Sequence, residues 1–271
     1  MFGAAWGDGE PTVLALHGWQ RTHRDFAPVF APDGPIAGAQ DPAMGAAPTA
    51  VALDLFGFGS TPAPPEPWGS GEYASHLLPL FEQPGALAER VVLVGHSFGG
   101  GVALHLATMV PDRIERLVLT GVPLFRGQGG RARPAMAYRV VRRLRRMGLV
   151  GEDRLEGMRA RFGSPDYRAA QGVMRPVLVR VLAETYVEQM AAVACPVDLV
   201  WGEDDGEVPL EVATRAQGLF PTARLVSLPG VGHLTPTEAP GALRAVITGG
   251  ERVAGEDSTA GQDSASGEGS R

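Results

Sequence analysis

The 271-residue chain has a single cysteine, Cys195, so it can hold no internal disulfide and is not a disulfide scaffold. A lone thiol fits a reducing compartment, which makes the cytoplasm the expected address. No apolar run approaches the roughly 18 residues that a bilayer-spanning helix needs. Asp8 and Glu10 stand where a secretory signal would place a basic segment followed by an apolar one, so no such signal is read. Lysine is absent and all 24 basic residues are arginine, which, with the abundant Ala, Gly and Pro, reads as compositional bias rather than mechanism. No cluster of His, Cys and carboxylates has metal-ligand spacing, and no Walker-type or dinucleotide glycine loop is present, so no metal and no cofactor are expected. Gly57 and Gly59 do follow a strand-like run, yet Ser60-Thr61-Pro62 does not open a helix. There is no internal repeat.

What is present is ordinary globular material: 44% hydrophobic, 20% charged, net charge −6. That composition excludes a mainly disordered or collagen-like chain and allows one large domain with a packed core. Charge is uneven along it. Residues 126–180 hold 14 arginines against four acids (Glu152, Asp153, Glu156, Asp166), while the remainder is acidic. A nucleic-acid binder would need such a basic patch, but no recognition motif accompanies it, and no nucleic-acid partner is expected.

Apolar, β-branched runs recur at residues 12–16 (TVLAL), 49–55, 90–94 (RVVLV), 114–119 (IERLVL), 197–201 (VDLVW) and 224–228 (RLVSL). They lack clean alternation, as strands buried on both faces of a parallel sheet do. Helical patterns over 73–81, 98–109 and 210–219 alternate with them, so the expected class is α/β, an open and mostly parallel sheet flanked by helices. Residues 31–48, rich in Pro, Gly and Ala, read as a surface loop. Residues 124–194 carry helical pattern without a convincing strand and read as a helical insertion. Within it Val140, Val141, Leu144 and Met147 form a stripe opposite Arg139, Arg142, Arg143 and Arg146, an apolar docking face under a solvated basic one. The alternative for that stripe is a site for acidic substrates or anionic lipid. The expected organisation is a core in two parts, 1–123 and 195–248, split by the insertion, with a disordered acidic tail over 249–271.

The chemistry is carried by Gly95-His96-Ser97-Phe98-Gly99-Gly100, a G-x-S-x-G between a strand and a helix. A serine at so sharp a turn needs glycines two before and two after it, because side chains there would clash. The helix that follows points its N-terminus at the site and favours developing negative charge. Such a serine needs a base, and the base an orienting carboxylate. The 197–201 strand runs into Glu203, Asp204, Asp205 and Glu207, and the 224–228 strand into Gly230-Val231-Gly232-His233. Both loops lie past strand C-termini, where open α/β sheets place their sites.

On these residues, with His17-Gly18-Trp19 and Asp54-Leu55-Phe56-Gly57-Phe58-Gly59-Ser60, the chain resembles the α/β-hydrolase fold family over about 220 residues. The resemblance implies Ser97 as nucleophile, His233 as general base and, by the spacing of the acid to Pro209, Asp205 as the orienting acid, with Asp204 the alternative. It also implies an oxyanion hole from the backbone N–H groups of Trp19 and Phe98, and a cap formed by the insertion. Some relatives carry the acid after the preceding strand, where Thr120-Gly121 offers none. Relatives that attack with aspartate, the haloalkane dehalogenases and epoxide hydrolases, are excluded by the serine. Family members usually have two antiparallel strands before the His-Gly strand; here there is room for one short strand at most, so either the sheet is shortened at that edge or the given start lies inside a longer reading frame. His17 and His96 are read as packing residues, His76 and His105 as ordinary helix residues, and His23 as a candidate for facing the pocket.

The expected function is a cofactor-free serine hydrolase acting on a small or medium carboxylic ester. Carbon–carbon bond hydrolysis, acyl transfer, lactone opening and perhydrolase activity share the same machinery. A rival of another class is a non-catalytic ligand-binding or signalling homologue, and a third is an anionic-surface binder working through the arginines.

Overall fold

A computed structural model describes residues 1–31, 47–126 and 165–249. Its frame is one seven-stranded sheet in the order β1-β3-β2-β4-β5-β6-β7. The strands are β1 (Gly3–Trp6), β2 (Val13–Leu16), β3 (Ala50–Leu53), β4 (Val91–His96), β5 (Ile114–Thr120), β6 (Val197–Gly202) and β7 (Ala223–Leu228). Only β1 is antiparallel, pairing Gly3 with Leu53 and Trp6 with Ala50; every other pair is parallel. One antiparallel strand, β1, precedes β2 and pairs with β3 at the sheet edge.

The inner strands β2, β3 and β4 are buried and largely apolar because both faces are covered. One face, with Leu14, Leu16, Leu93, Leu117, Leu119, Leu199 and Trp201, packs under α2 (Ser70–Ser75), α4 (Phe98–Met109) and α8 (Leu210–Gln217). The other, with Val13, Ala15, Ala52, Val92, Val94, Val118 and Val200, packs on Phe26, Val29 and Phe30 around α1 (Ala27–Phe30) and on Leu243, Val246 and Ile247 of α10 (Pro240–Ile247). The helix expected over 73–81 is two pieces, α2 and α3 (Pro79–Glu82). Pro79 has no N–H, and its ring would clash with the carbonyl one turn back, so the chain restarts with proline in the first helical turn.

In the described part of the expected insertion lie α5 (Pro165–Ala169), α6 (Met174–Val181) and α7 (Val187–Ala192), without a strand. The Val140–Met147 stripe with its opposing arginines, most of the 31–48 loop and the tail beyond 249 lie outside the described residues. Among the described residues no helix is long and apolar enough to cross a membrane. A short helix, α9 (Thr235–Glu238), follows β7.

Candidate active site

At the end of the central strand β4 the chain reverses into α4 through Ser97, whose backbone sits at φ 50°, ψ −117°. Only Gln20 shares a positive φ among the described non-glycine residues. This left-handed geometry is costly for a residue with a Cβ and persists where surrounding packing enforces it. The glycines around it do so. A Cβ on Gly95 would come within 2.5 Å of Gly100 Cα, and one on Gly99 would strike the Leu16 carbonyl. The Ser97 N–H donates to the Thr120 carbonyl of the neighbouring strand at 2.9 Å.

The His17-Gly18-Trp19 segment, at the end of β2, lies against the elbow: a Cβ on Gly18 would stand 3.2 Å from Ser97 Cβ. His17 is fully buried. Its Nε2 accepts the Leu55 N–H at 3.0 Å, so the ring proton is on Nδ1, which donates to the Gly18 carbonyl at 2.7 Å. Burial lowers its pKa, keeping it a neutral strut. Around the Trp19 and Phe98 amides the neighbouring N–H groups are committed inside the protein: Gly99 to His17, Gly100 to Ser97 and Arg21 to Gly18. The Trp19 ring stands edge-on to Phe58 and Phe98, with centroids 5.0 and 5.6 Å away.

The acid and the histidine meet. His233 Nδ1–H donates to Asp205 Oδ2 at 2.9 Å, while Asp205 Oδ1 accepts the N–H groups of Glu207 (2.9 Å) and Val208 (2.8 Å). Asp205 is buried; Asp204 is exposed and only its main-chain N–H is used, on the Val231 carbonyl. Of the two adjacent carboxylates, Asp205 is the one joined to His233. Burial disfavours the charged imidazole, but the Asp205 hydrogen bond and the charges of Asp205, Glu207 and Glu238 outweigh it and raise the His233 pKa above the usual 6.5. Glu207 Oε2 stands 3.6 Å from His233 Nε2.

Gly121, just past β5, has φ +60°, and a Cβ there would stand 2.9 Å from His233 Cε1 and 3.4 Å from Asp205 Oδ2. The position that lacks a carboxylate thus makes room for the histidine. His23 turns to Asp54: its Nδ1 and its N–H both lie on Asp54 Oδ1, at 2.7 and 2.9 Å, and Ser60 N–H donates to Oδ2. Burial would raise the Asp54 pKa, but these donors hold it below the usual range. Among the described residues no group of three or more His, Cys, Asp or Glu is placed to hold a metal ion.

Sequence reasoning treated His96 as packing and passed over Glu238. His96 is buried and donates from Nε2 to the His233 carbonyl at 3.0 Å. Glu238 accepts the N–H groups of Gly232 (2.6 Å) and Leu234 (3.2 Å), the two neighbours of His233. Both act on main-chain groups, and the one available signal was a glutamate at the end of a short helix, five residues after the histidine.

A mostly parallel sheet with helices on both faces, whose functional loops cluster at its C-terminal edge, defines the doubly wound α/β class. The pattern that defines the alpha/beta hydrolase family matches residues 13–246, and the chain belongs to that family. An uncharacterized protein of Mycobacterium tuberculosis (strain ATCC 25618 / H37Rv) is 26% identical over 262 residues, covering 82% of this chain and 70% of its own. Among solved structures, a thermophilic esterase from Thermogutta terrifontis superposes with a TM-score of 0.64 at 22% identity, covering 92% of this chain and 91% of its own. A meta-cleavage product hydrolase from Pseudomonas fluorescens IP01 superposes with a TM-score of 0.62 at 20% identity, covering 91% and 92%.

Proposed function

We propose that this chain is a serine hydrolase that cleaves a small or medium carboxylic ester through an acyl-enzyme. Ser97 Oγ attacks the ester carbonyl while His233 Nε2 takes its proton; the leaving alkoxide recovers that proton from the imidazolium as the C–O bond breaks. Water then attacks the acyl-enzyme with the same histidine as base, releasing the acid and restoring Ser97. Asp205 holds the imidazole with its proton on Nδ1 and stabilises the imidazolium. The amides of Trp19 and Phe98 receive the oxyanion, and the cycle needs no cofactor. Residues 124–194 act as the cap that shapes the acyl and alcohol pockets.

The observation that carries this reading is the hydrogen bond of His233 to the buried Asp205 at 2.9 Å, on the same sheet edge as the left-handed Ser97. An esterase and a carbon–carbon hydrolase share the fold, so fold does not choose between them.

The test is covalent labelling by a fluorophosphonate, comparing the wild type with Ser97→Ala and His233→Ala, followed by p-nitrophenyl esters of increasing acyl length. Labelling and ester turnover in the wild type alone are expected. Labelling that survives in Ser97→Ala refutes the nucleophile. A folded wild type that never labels favours the non-catalytic ligand-binding reading, and labelling without ester turnover directs the search to carbon–carbon bonds or acyl transfer.

A further inference from the structure

The loop that carries His233 is built to bend, with Gly230 at φ +71° and Gly232 immediately before the histidine. The Asp205 hydrogen bond fixes one ring nitrogen and leaves the ring free to pivot about that contact. An imidazole that must take a proton from Ser97 needs its main chain held as well, because an error of about 1 Å in a reacting group can cost about a hundredfold in rate.

We infer that His96 and Glu238 are positioning residues that grip the main chain of His233 from two sides and lock the base loop to the serine elbow. The inference rests on the ester-hydrolase reading for its catalytic consequence.

On one side His96 Nε2 lies 3.0 Å from the His233 carbonyl, with the two rings 5.1 Å apart. A carbonyl only accepts, so the proton is on Nε2 and Nδ1 is bare. Nδ1 is buried without a partner, and Gly18 packs against it: a Cβ there would come within 2.9 Å. Burial holds the His96 pKa down to about 3, so the ring stays neutral and the donor stays on Nε2. Buried polar atoms are rarely left unsatisfied in folded proteins, and here the orphaned nitrogen belongs to the ring that joins the Gly18 turn, Ser97 and the His233 loop.

On the other side, one carboxylate spans the histidine. Glu238 accepts from Gly232 at 2.6 Å and Leu234 at 3.2 Å, and its own N–H returns to the Leu234 carbonyl at 2.9 Å. The carbonyl of His233 is therefore held from the elbow and the flanking amides from α9. Because His96 is bonded directly to Ser97, movement of the elbow carries the base with it. The variable position of G-x-S-x-G is in this chain part of the base's support.

The test uses two readouts on the full-length chain: the fluorophosphonate labelling rate, and hydrogen exchange of the Gly232 and Leu234 amides. In His96→Gln the terminal amide nitrogen can occupy the place of Nε2; in His96→Asn it sits near Nδ1 and falls short of the carbonyl. We expect His96→Gln to label within about threefold of the wild type, and His96→Asn and Glu238→Ala to fall about tenfold or more. Exchange at Gly232 and Leu234 is expected to speed up at least tenfold in Glu238→Ala. Equal labelling in the wild type, His96→Asn and Glu238→Ala overturns the inference, as does an equal fall in His96→Gln and His96→Asn, which would reduce His96 to a packed ring. Should His96→Asn not fold, Glu238→Ala at its exposed position decides. A wild type inert to the probe defeats the ester reading alone; the exchange measurement then still accepts or rejects the grip.

Discussion

Asp205→Asn is the substitution whose outcome follows most directly from the hydrogen bonds. The carboxylate serves three donors, His233 Nδ1–H on Oδ2 and the N–H groups of Glu207 and Val208 on Oδ1. An asparagine has one acceptor oxygen and one NH₂. With the oxygen toward the two amides, the NH₂ faces His233 and forces Nδ1 to become the acceptor. The ring proton then moves to Nε2, and the nitrogen that should receive the Ser97 proton already carries one. With the amide reversed, the imidazole keeps its orientation, but both N–H groups lose their acceptor, the buried Val208 one at about 1–3 kcal/mol and the part-buried Glu207 one at less. The first arrangement is favoured, and it disables the base. The expected loss in fluorophosphonate labelling is about 10²–10⁴-fold, where a thousandfold corresponds to about 4 kcal/mol of barrier. Asp204→Asn, at an exposed carboxylate whose main-chain N–H alone is engaged, should stay within about twofold. Melting curves on both variants separate unfolding from a disabled base. Labelling of Asp205→Asn within threefold of the wild type, or a collapse in Asp204→Asn alone, would refute this assignment of the acid.

Four further outcomes can be measured. Gly121→Ala forces a left-handed backbone on a residue with a Cβ, costing about 1–2 kcal/mol, and pushes that Cβ to 2.9 Å from His233 Cε1; labelling should fall at least tenfold, and unchanged labelling would contradict the contact. Because the base must be neutral and carboxylates raise its pKa, the acid limb of kcat/KM should lie above 6.5, with activity lost as pH falls through it. The groups facing His233 are Asp205, Glu207, Glu238 and the neutral His96. Glu207→Gln removes one negative charge and should move that limb to lower pH, less so in high salt; a shift upward would contradict the role of that carboxylate. Tyr186→Phe strips a buried hydroxyl from Ser70 Oγ (2.9 Å) and Glu184 Oε2 (2.8 Å), so the melting temperature should drop by several degrees, and an unaltered melt would show that the bonds contribute nothing.

The parallel strands were legible because burial on both faces leaves continuous apolar runs, as in β4 and β6. β1 (GAAW) was not, since its side chains are only alternately half-buried and its place is set by pairing with β3. The 73–81 pattern was periodic enough to read as one helix, yet Pro79 divides it: the missing N–H outweighs the periodicity. At the site, G-x-S-x-G located Ser97 because the elbow demands glycine by volume. Residue type alone does not separate Asp204 from Asp205. What separates them is the turn that offers the Glu207 and Val208 amides to one of two identical side chains. His96 and Glu238 stayed invisible for a related reason. Their partners are peptide groups, which every residue carries.

The same contacts that fold the site also place its strain. Ser97 is held in a conformation that costs about 1–3 kcal/mol, and local hydrogen bonding alone would not keep it there. What keeps it there is volume and pairing: Gly95 and Gly99 let α4 close on the ends of β4 and β2, and the Ser97 amide is spent on β5. Relaxing the elbow would therefore open the ends of β2 and β4, which are buried along their whole length. His233 has the opposite problem, a glycine-bearing loop after β7, the last strand in the sheet order, and it is secured by side chains from β4, α9 and the loop after β6. Rigid core supports the serine and borrowed contacts support the histidine. Substitutions in the core should therefore disturb stability and labelling together, whereas Glu238→Ala should lower labelling with little change in melting temperature.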